Sequence, residues 1–143
     1  MTKRLSLRAK VTLALAATVL AATTAFAYEA PEDLWRQRPA TFAAWKHVVP
    51  KTYRHQQWIV RLFGVTAASV DTVTIQGKRF YYGQVCKAHD CDGNTVTYLI
   101  ARDGTAAFGL LCSQSLHVRH QFFGKPDDET RRYLRARSDF GAC

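Results

Sequence analysis

The first half of the chain carries large apolar residues at helical spacing. Phe42, Trp45 and Val49 recur within residues 39–49, a segment that starts at a proline and is followed by another. This pattern predicts a short amphipathic helix whose apolar face packs on a sheet. Residues 53–63 are rich in aromatic and aliphatic side chains without a clear period. We expect there an irregular or short extended segment whose aromatic residues enter the core.

From residue 70 onward the apolar residues follow the period of two that is typical of strands. Turns containing glycine separate them, at Gln76-Gly77-Lys78 and at Asp103-Gly104, the second predicted as a two-residue hairpin turn. The predicted strands cover residues 70–75, 79–85, 95–102, 105–112 and 116–123. Because these strands follow one another through short connections, we expect an antiparallel meander.

The last segment, residues 126–137, has the charge pattern of a surface helix. Acidic residues occupy its first turn and arginines follow, which complements the helix dipole. This order also predicts i,i+4 ion pairs between Asp127 and Arg131 and between Asp128 and Arg132. The sequence contains no internal repeat, low-complexity tract or linker.

The N-terminal segment has the composition of a secretory signal peptide. Basic residues come first, an apolar run covers residues 11–22, and the small residues Ala25-Phe26-Ala27 provide a cleavage site. The run is too short to cross a bilayer as a helix. We therefore expect residues 1–27 to be removed, the mature chain to begin at Tyr28, and residues 28–143 to fold as a single α+β domain without a membrane anchor.

The formal net charge of the full chain is +9 at pH 7, but four basic residues lie in the signal peptide, so the mature chain carries +5. Much of this excess lies in Arg131, Arg132, Arg135 and Arg137. No aromatic residues are interleaved with these arginines at a spacing that would stack bases. We interpret them as the solvated face of a helix and expect no nucleic-acid partner.

All four cysteines lie in the exported part of the chain, where an oxidising compartment favours disulfides. Four cysteines allow three connectivities. The short distance in sequence between the first two favours Cys86–Cys91, which leaves Cys112–Cys143 as the second bridge. The second bridge involves the last residue of the chain, and termini are often poorly ordered.

The hexapeptide Cys86-Lys87-Ala88-His89-Asp90-Cys91 is a polar segment with a cysteine at each end, between two predicted strands. A disulfide would staple it into a rigid loop that presents Lys87, His89 and Asp90 for binding. Alternatively, the staple does no more than constrain the unfolded chain, and the polar residues face water. The residue pattern alone leaves both interpretations open.

Two further interpretations of the hexapeptide involve thiol chemistry. Zinc could bind Cys86, Cys91 and His89, but the spacing is not that of the usual fingers and a fourth ligand would have to come from Cys112 or Cys143. A redox-active disulfide normally has two residues between its cysteines and a following helix, whereas four residues intervene here. We therefore expect no metal site and no redox role.

The sequence lacks the common motifs of enzymes, including G-x-S-x-G, H-E-x-x-H and a phosphate-binding glycine loop. No second acid or base accompanies His89. His117 and His120 are three residues apart, a spacing that does not place them on one face of a strand, so we interpret them as residues of the sheet surface. We expect no catalytic activity and no cofactor.

The hexapeptide resembles the Cys-Lys-Pro-His-Asp-Cys signature of the inhibitor of vertebrate lysozyme family, with five of six positions identical. Residues 70–111 also resemble the central region of that family, including the strand Phe108-Gly109-Leu110-Leu111. The later stretch Phe123-Gly124-Lys125-Pro126-Asp127 is similar to the family's Phe-Gly-x-Pro segment. Together with the export signal, the resemblance covers most of the mature chain.

The resemblance implies a periplasmic protein with an antiparallel sheet of about five strands flanked by short helices. It further implies that the stapled loop enters the active-site cleft of c-type lysozyme and protects peptidoglycan. His89 would lie between the two catalytic carboxyl groups of the target, because an imidazole can hydrogen-bond through both ring nitrogens. Lys87 and Asp90 would hold the loop or contact the cleft walls. The protein would act as a monomer or a homodimer.

The chain departs from the family pattern in two respects. Ala88 replaces the family proline, which removes one backbone constraint worth about 0.4–1 kcal/mol. The positive net charge would repel basic lysozymes, unless Asp90, Asp92 and Asp103 form an acidic surface. The target could instead be a less basic lysozyme or an endogenous lytic transglycosylase. The alternative function is that of an exported module that binds envelope components without inhibiting lysozyme.

Overall fold

The computed structural model describes residues 30–63 and 69–138. The predicted signal peptide, the expected mature start at Tyr28, and Cys143 lie outside these ranges. None of the helices within the described ranges combines the length and the apolar character needed to span a bilayer.

The fold class is α+β, as predicted. The described residues form one five-stranded sheet in the order β1-β2-β3-β4-β5, and every neighbouring pair is antiparallel. This is the expected meander, in which each strand pairs with the next one along the chain. The strands are β1 (Asp71–Ile75), β2 (Lys78–Lys87), β3 (Asp90–Ala101), β4 (Ala107–Ser113) and β5 (Val118–Phe123).

The turn between β1 and β2 is formed by Gln76 and Gly77, whose φ angles are 50° and 76°. Positive φ at both central residues fits the twist of a two-residue hairpin. The predicted two-residue turn at Asp103-Gly104 is wrong, because β4 begins only at Ala107. The Asp103 side chain instead accepts hydrogen bonds from the backbone N–H and the hydroxyl of Thr105, which stabilises a longer loop.

Four helices and one 3₁₀ turn accompany the sheet in the described ranges: α1 (Pro31–Gln37), α2 (Pro39–Val48), the 3₁₀ turn (Lys51–Tyr53), α3 (Gln57–Val60) and α4 (Asp128–Ala136). The predicted α2 and α4 are present. The sequence pattern did not predict α1. The irregular conformation expected for residues 53–63 is confirmed only in part, since the short helix α3 lies within this segment and no strand does. Trp58 is buried as expected, whereas Phe63 is 63% exposed.

The apolar face of α2 packs on β3 and β4, as predicted. The indole ring of Trp45 lies 6.1 Å from the ring of Tyr98 and 5.8 Å from that of Phe123, measured between centroids. The Trp45 Nε1 donates a hydrogen bond to the backbone oxygen of Ile59 at 2.9 Å, which ties α2 to α3. The main core therefore lies between α1–α3 and one face of the sheet.

The other face of the sheet packs against α4 through a second apolar cluster that contains the fully buried Leu134. Arg131 and Arg135 extend from α4 over the ring of Phe122, at 5.4 and 5.3 Å from its centroid. These arginines thus cover an aromatic residue of β5, in keeping with the prediction that they belong to a helix surface.

The N-terminus of α4 is capped by Asp127, whose Oδ1 accepts a hydrogen bond from the backbone N–H of Thr130 at 2.8 Å. The predicted ion pairs Asp127–Arg131 and Asp128–Arg132 are not formed among the described residues. The Asp127 carboxylate satisfies a backbone donor of the helix instead.

Cys112 lies near the end of β4 and is buried. It is disulfide-bonded and not a free thiol. Its predicted partner Cys143 falls outside the described residues, so the pairing stays a prediction.

Candidate functional site

The cysteine-closed segment forms the end of a β-hairpin. Lys87 of β2 pairs with Asp90 of β3 across the two-residue turn Ala88-His89. The sequence predicted that β2 ends at Val85 and β3 begins at Thr95. In the structure β2 extends to Lys87 and β3 starts at Asp90. Backbone pairing continues here through polar residues, which carry no strand signal in the sequence.

His89 is the second residue of the turn and has a φ of 61°. Histidine is one of the few residues other than glycine that adopt this left-handed conformation with some frequency. The side chain is exposed and has no hydrogen-bond or ion-pair partner among residues 30–63 and 69–138. The imidazole is therefore accessible to a partner at the tip of the hairpin.

The predicted Cys86–Cys91 disulfide is present, with Cα atoms 4.9 Å apart. Cys86 is buried and Cys91 is half-buried, so the bond connects the sheet to the exposed hairpin end. Because the two sulfur atoms are bonded to each other, they do not offer the thiolates that a zinc site at this pair would need.

The disulfide spans an irregularity in the pairing of β2 and β3. Cys86 lies opposite Thr95, yet the next residue, Lys87, lies opposite Asp90, so the backbone ladder between β2 and β3 skips residues 91–94. Beyond this interruption, Lys87 and Asp90 are the one residue pair of the β2–β3 ladder at the hairpin tip. The covalent bond closes the tip at the point where the backbone ladder is broken.

Lys87 and Asp90 interact with each other across the turn. The Nζ of Lys87 lies 3.7 Å from the Oδ2 of Asp90 and donates a hydrogen bond to the hydroxyl of Ser115 at 3.4 Å. Both side chains are partly exposed, so the ion pair adds little stability. The ion pair instead orients the hairpin turn. Lys87 and Asp90, which were predicted to be available for binding, contact each other within the protein, whereas His89 does not.

A buried polar cluster that the sequence analysis did not identify supports the hairpin. Asn94 is 1% exposed. Its Oδ1 accepts hydrogen bonds from the hydroxyl of Ser113 at 2.5 Å, and from the backbone N–H and hydroxyl of Ser115 at 3.1 and 2.6 Å. Its Nδ2 donates to the backbone oxygen of Asp90 at 3.3 Å. One side-chain amide thus joins the hairpin end to the turn between β4 and β5.

The other two histidines considered above lie near the same part of the sheet. His117 is in the turn between β4 and β5 and His120 is in β5, and both side chains are exposed. Among residues 30–63 and 69–138, no group of three histidine, cysteine, aspartate or glutamate side chains is arranged to hold a metal ion.

The three aspartates considered as an acidic surface do not lie together. Asp90 and Asp92 are at the hairpin end of β3, whereas Asp103 follows the opposite end of this 12-residue strand. Hydrogen bonds from Thr105 lower the pKa of the Asp103 carboxyl, and the positive charge of Lys78 acts in the same direction. Asp103 therefore belongs to a local turn and does not add negative charge to the hairpin.

The fold and the site define an α+β protein that presents a disulfide-closed β-hairpin with an exposed histidine in its turn. No protein-family model matches the chain. Over 101 residues the chain is 28% identical to an uncharacterized protein of Pseudomonas aeruginosa, and the match covers 64% of this chain and 64% of that protein. The chain is thus distantly similar to that protein over less than two thirds of its length, and the similarity assigns neither a family nor a function.

Proposed function

We propose that this protein is an inhibitor of c-type lysozyme that inserts the hairpin Cys86–Cys91 into the active-site cleft of the enzyme. The protein would act in the periplasm, after removal of the signal peptide, and would protect peptidoglycan. The observation that carries the proposal is the position of His89 in an exposed two-residue turn, beside a disulfide and an internal ion pair.

A preorganised hairpin suits this role because little conformational freedom is lost when it enters a cleft. The Lys87–Asp90 pair and the Asn94 amide hold the backbone on both sides of the turn. The imidazole of His89 can hydrogen-bond through both ring nitrogens, which matches a cleft containing two carboxyl groups. Occupation of the cleft would exclude the glycan chain sterically, and no covalent step is needed.

The charge of the chain favours a second candidate target. The mature chain is basic, and Asp103 lies away from the hairpin, so Asp90, Asp92 and Asp103 do not form the acidic surface that would offset repulsion from a basic lysozyme. A less basic muramidase, such as an endogenous lytic transglycosylase, would associate faster. Inhibition of both enzymes is compatible with one cleft-binding hairpin.

The proposal is tested by titrating the activity of a c-type lysozyme on bacterial cell walls with the oxidised mature protein, at low and high salt. Stoichiometric inhibition is expected, with a stronger effect at high salt because like-charge repulsion is screened. His89→Ala should weaken inhibition strongly without unfolding the protein. His55→Ala, which removes another exposed histidine outside the hairpin, is the matched control.

The mechanism is overturned if folded His89→Ala inhibits as well as the His55→Ala control. A parent protein that inhibits neither lysozyme nor a lytic transglycosylase would overturn the proposal itself. Retention of that inactive protein by purified peptidoglycan would then point to the alternative of an envelope-binding module.

A further inference from the structure

The turn between β4 and β5 lies directly beside the hairpin. The backbone N–H of Gln114 donates to the backbone oxygen of Gly93 at 2.7 Å, and the hydroxyl of Ser115 contacts Lys87. Asn94 binds Ser115 and the hairpin backbone at once. The two turns are therefore attached to each other, and they would meet a partner as one surface.

The β4–β5 turn has a defined conformation of its own. The backbone N–H of His117 donates to the backbone oxygen of Gln114 at 3.0 Å, and His117 has a φ of 54°. The backbone N–H of Leu116 also donates to the buried hydroxyl of Ser113 at 3.2 Å. These bonds fix the backbone of the turn before a partner binds.

A cavity of about 410 Å³ opens at this turn. The residues that line it are Ser113, Gln114, His117, Val118 and Arg119. Gln114, His117 and Arg119 are exposed, and all three offer N–H donors. Arg119 forms no ion pair with another residue in the part of the chain that the structure describes. The cavity thus combines several donors and one unneutralised positive charge.

We propose that this cavity is a second contact of the same inhibitory interface and receives a carboxylate side chain of the target protein, paired with Arg119. The inference rests on the proposed function, in which the hairpin occupies the cleft of an enzyme. When the tip of a hairpin enters a cleft, the residues behind the tip contact the rim of the cleft. The β4–β5 turn lies beside those residues, because it contacts Lys87 and Gly93. The planar guanidinium of arginine matches a carboxylate in shape and charge.

This contact would also determine which enzymes are inhibited. A basic inhibitor gains from an acidic group on the cleft rim of its target, because the local attraction offsets repulsion between the net charges. The hairpin would then provide inhibition, and Arg119 would favour targets with an aspartate or glutamate at the rim.

The test compares Arg119→Gln with Arg132→Gln, which removes the same charge from an exposed position on α4. Arg132 also forms no ion pair among the described residues. Association and dissociation rates on an immobilised c-type lysozyme are measured at low and high salt. We expect Arg119→Gln to bind about fivefold more weakly than Arg132→Gln, chiefly through slower association, and the difference to narrow at high salt.

Equal binding by Arg119→Gln and Arg132→Gln, while His89→Ala is impaired, overturns the second contact and leaves the proposed function intact. If the parent protein does not bind the lysozyme, the proposed function fails and this inference fails with it. An equal change in the binding of both arginine variants would show a net-charge effect, which for a basic lysozyme means stronger binding because repulsion is reduced, and it would also overturn the second contact.

Discussion

The side-chain amide of Asn94 donates a hydrogen bond to the backbone oxygen of Asp90 at 3.3 Å, within the segment where the pairing of β3 with β2 is interrupted. This contact joins the exposed tip to the buried end of the sheet. Because Ser113 and Ser115 donate to the same side chain, the tip and the neighbouring turn share one buried support.

Replacement of Asn94 by alanine should lower the free energy of unfolding by about 2–3 kcal/mol, because the buried hydroxyl of Ser113 and two donors of Ser115 lose their acceptor. Urea denaturation measures this change through the transition midpoint. Gln57→Ala, at an exposed position of α3, serves as the control and should leave the midpoint nearly unchanged. Equal midpoints for the two variants would show that the Asn94 cluster does not stabilise the fold.

Replacement of Cys86 and Cys91 together by alanine tests the staple while leaving Cys112 untouched. In the loop-closure model, a bond across so few residues contributes about 2 kcal/mol to stability. The double variant should therefore fold but unfold at a lower urea concentration than the parent. It should also inhibit lysozyme more weakly, since the hairpin tip loses preorganisation. A variant with the stability and the inhibitory strength of the parent would contradict a positioning role for the bond.

The strands were predictable because their signals are local. Alternating apolar residues and turn residues such as Gly77 identify a meander without knowledge of tertiary contacts. Helix α1 was missed because its stability comes from packing, with Leu34 buried and the ring of Trp35 lying 4.8 Å from that of Phe42. The loop at Asp103 was misjudged because the Asp103 side chain accepts hydrogen bonds from Thr105 within a loop longer than two residues, a contact that the Asp-Gly pair does not indicate.

The candidate site was predictable to a similar extent. The short spacing of Cys86 and Cys91 made the staple and the exposed position of His89 apparent from neighbouring residues. The support by Asn94 was not apparent, because Ser113 lies 19 positions away in sequence and meets it only through the register of β3 and β4. Asparagine and serine are common in loops, so their presence carries no signal before that register is known.

The carboxyl of Asp127 makes the capping of α4 sensitive to pH. The hydrogen bonds from the backbone and side chain of Thr130 hold the pKa of Asp127 below its usual range. A lowered pKa in the folded state means that the ionised form is favoured by folding. Its stabilising effect is therefore complete above the usual aspartate pKa and is lost as the pH falls through the lower, folded-state pKa.

Replacement of Asp127 by asparagine retains a good capping residue but removes the charge. The melting temperature of this variant should lie below that of the parent near neutral pH, and the difference should shrink as the pH falls below about 4. Asp128→Asn removes the same charge from the first turn without affecting the Thr130 bond, and should show a smaller change. A gap between parent and Asp127→Asn that is constant from neutral to acidic pH would contradict the assignment.

Replacement of Ala88 by proline tests whether the tip is fully preorganised. His89 has a φ of 61° at the second central position of the turn, as a type II turn requires, and proline is common at the first central position of such turns. Proline removes conformational freedom from the unfolded chain, so Ala88→Pro should stabilise the protein by about 0.4–1 kcal/mol.

Binding should strengthen in the same variant, because less freedom remains to be lost when the tip enters a cleft. The matched control is Ala88→Gly, which adds backbone freedom and should shift both stability and inhibition in the opposite direction. Urea midpoints and inhibition titrations on all three proteins separate the two effects. If Ala88→Pro is stabilised yet inhibits no better than the parent, the rigidity of the hairpin tip does not limit its binding.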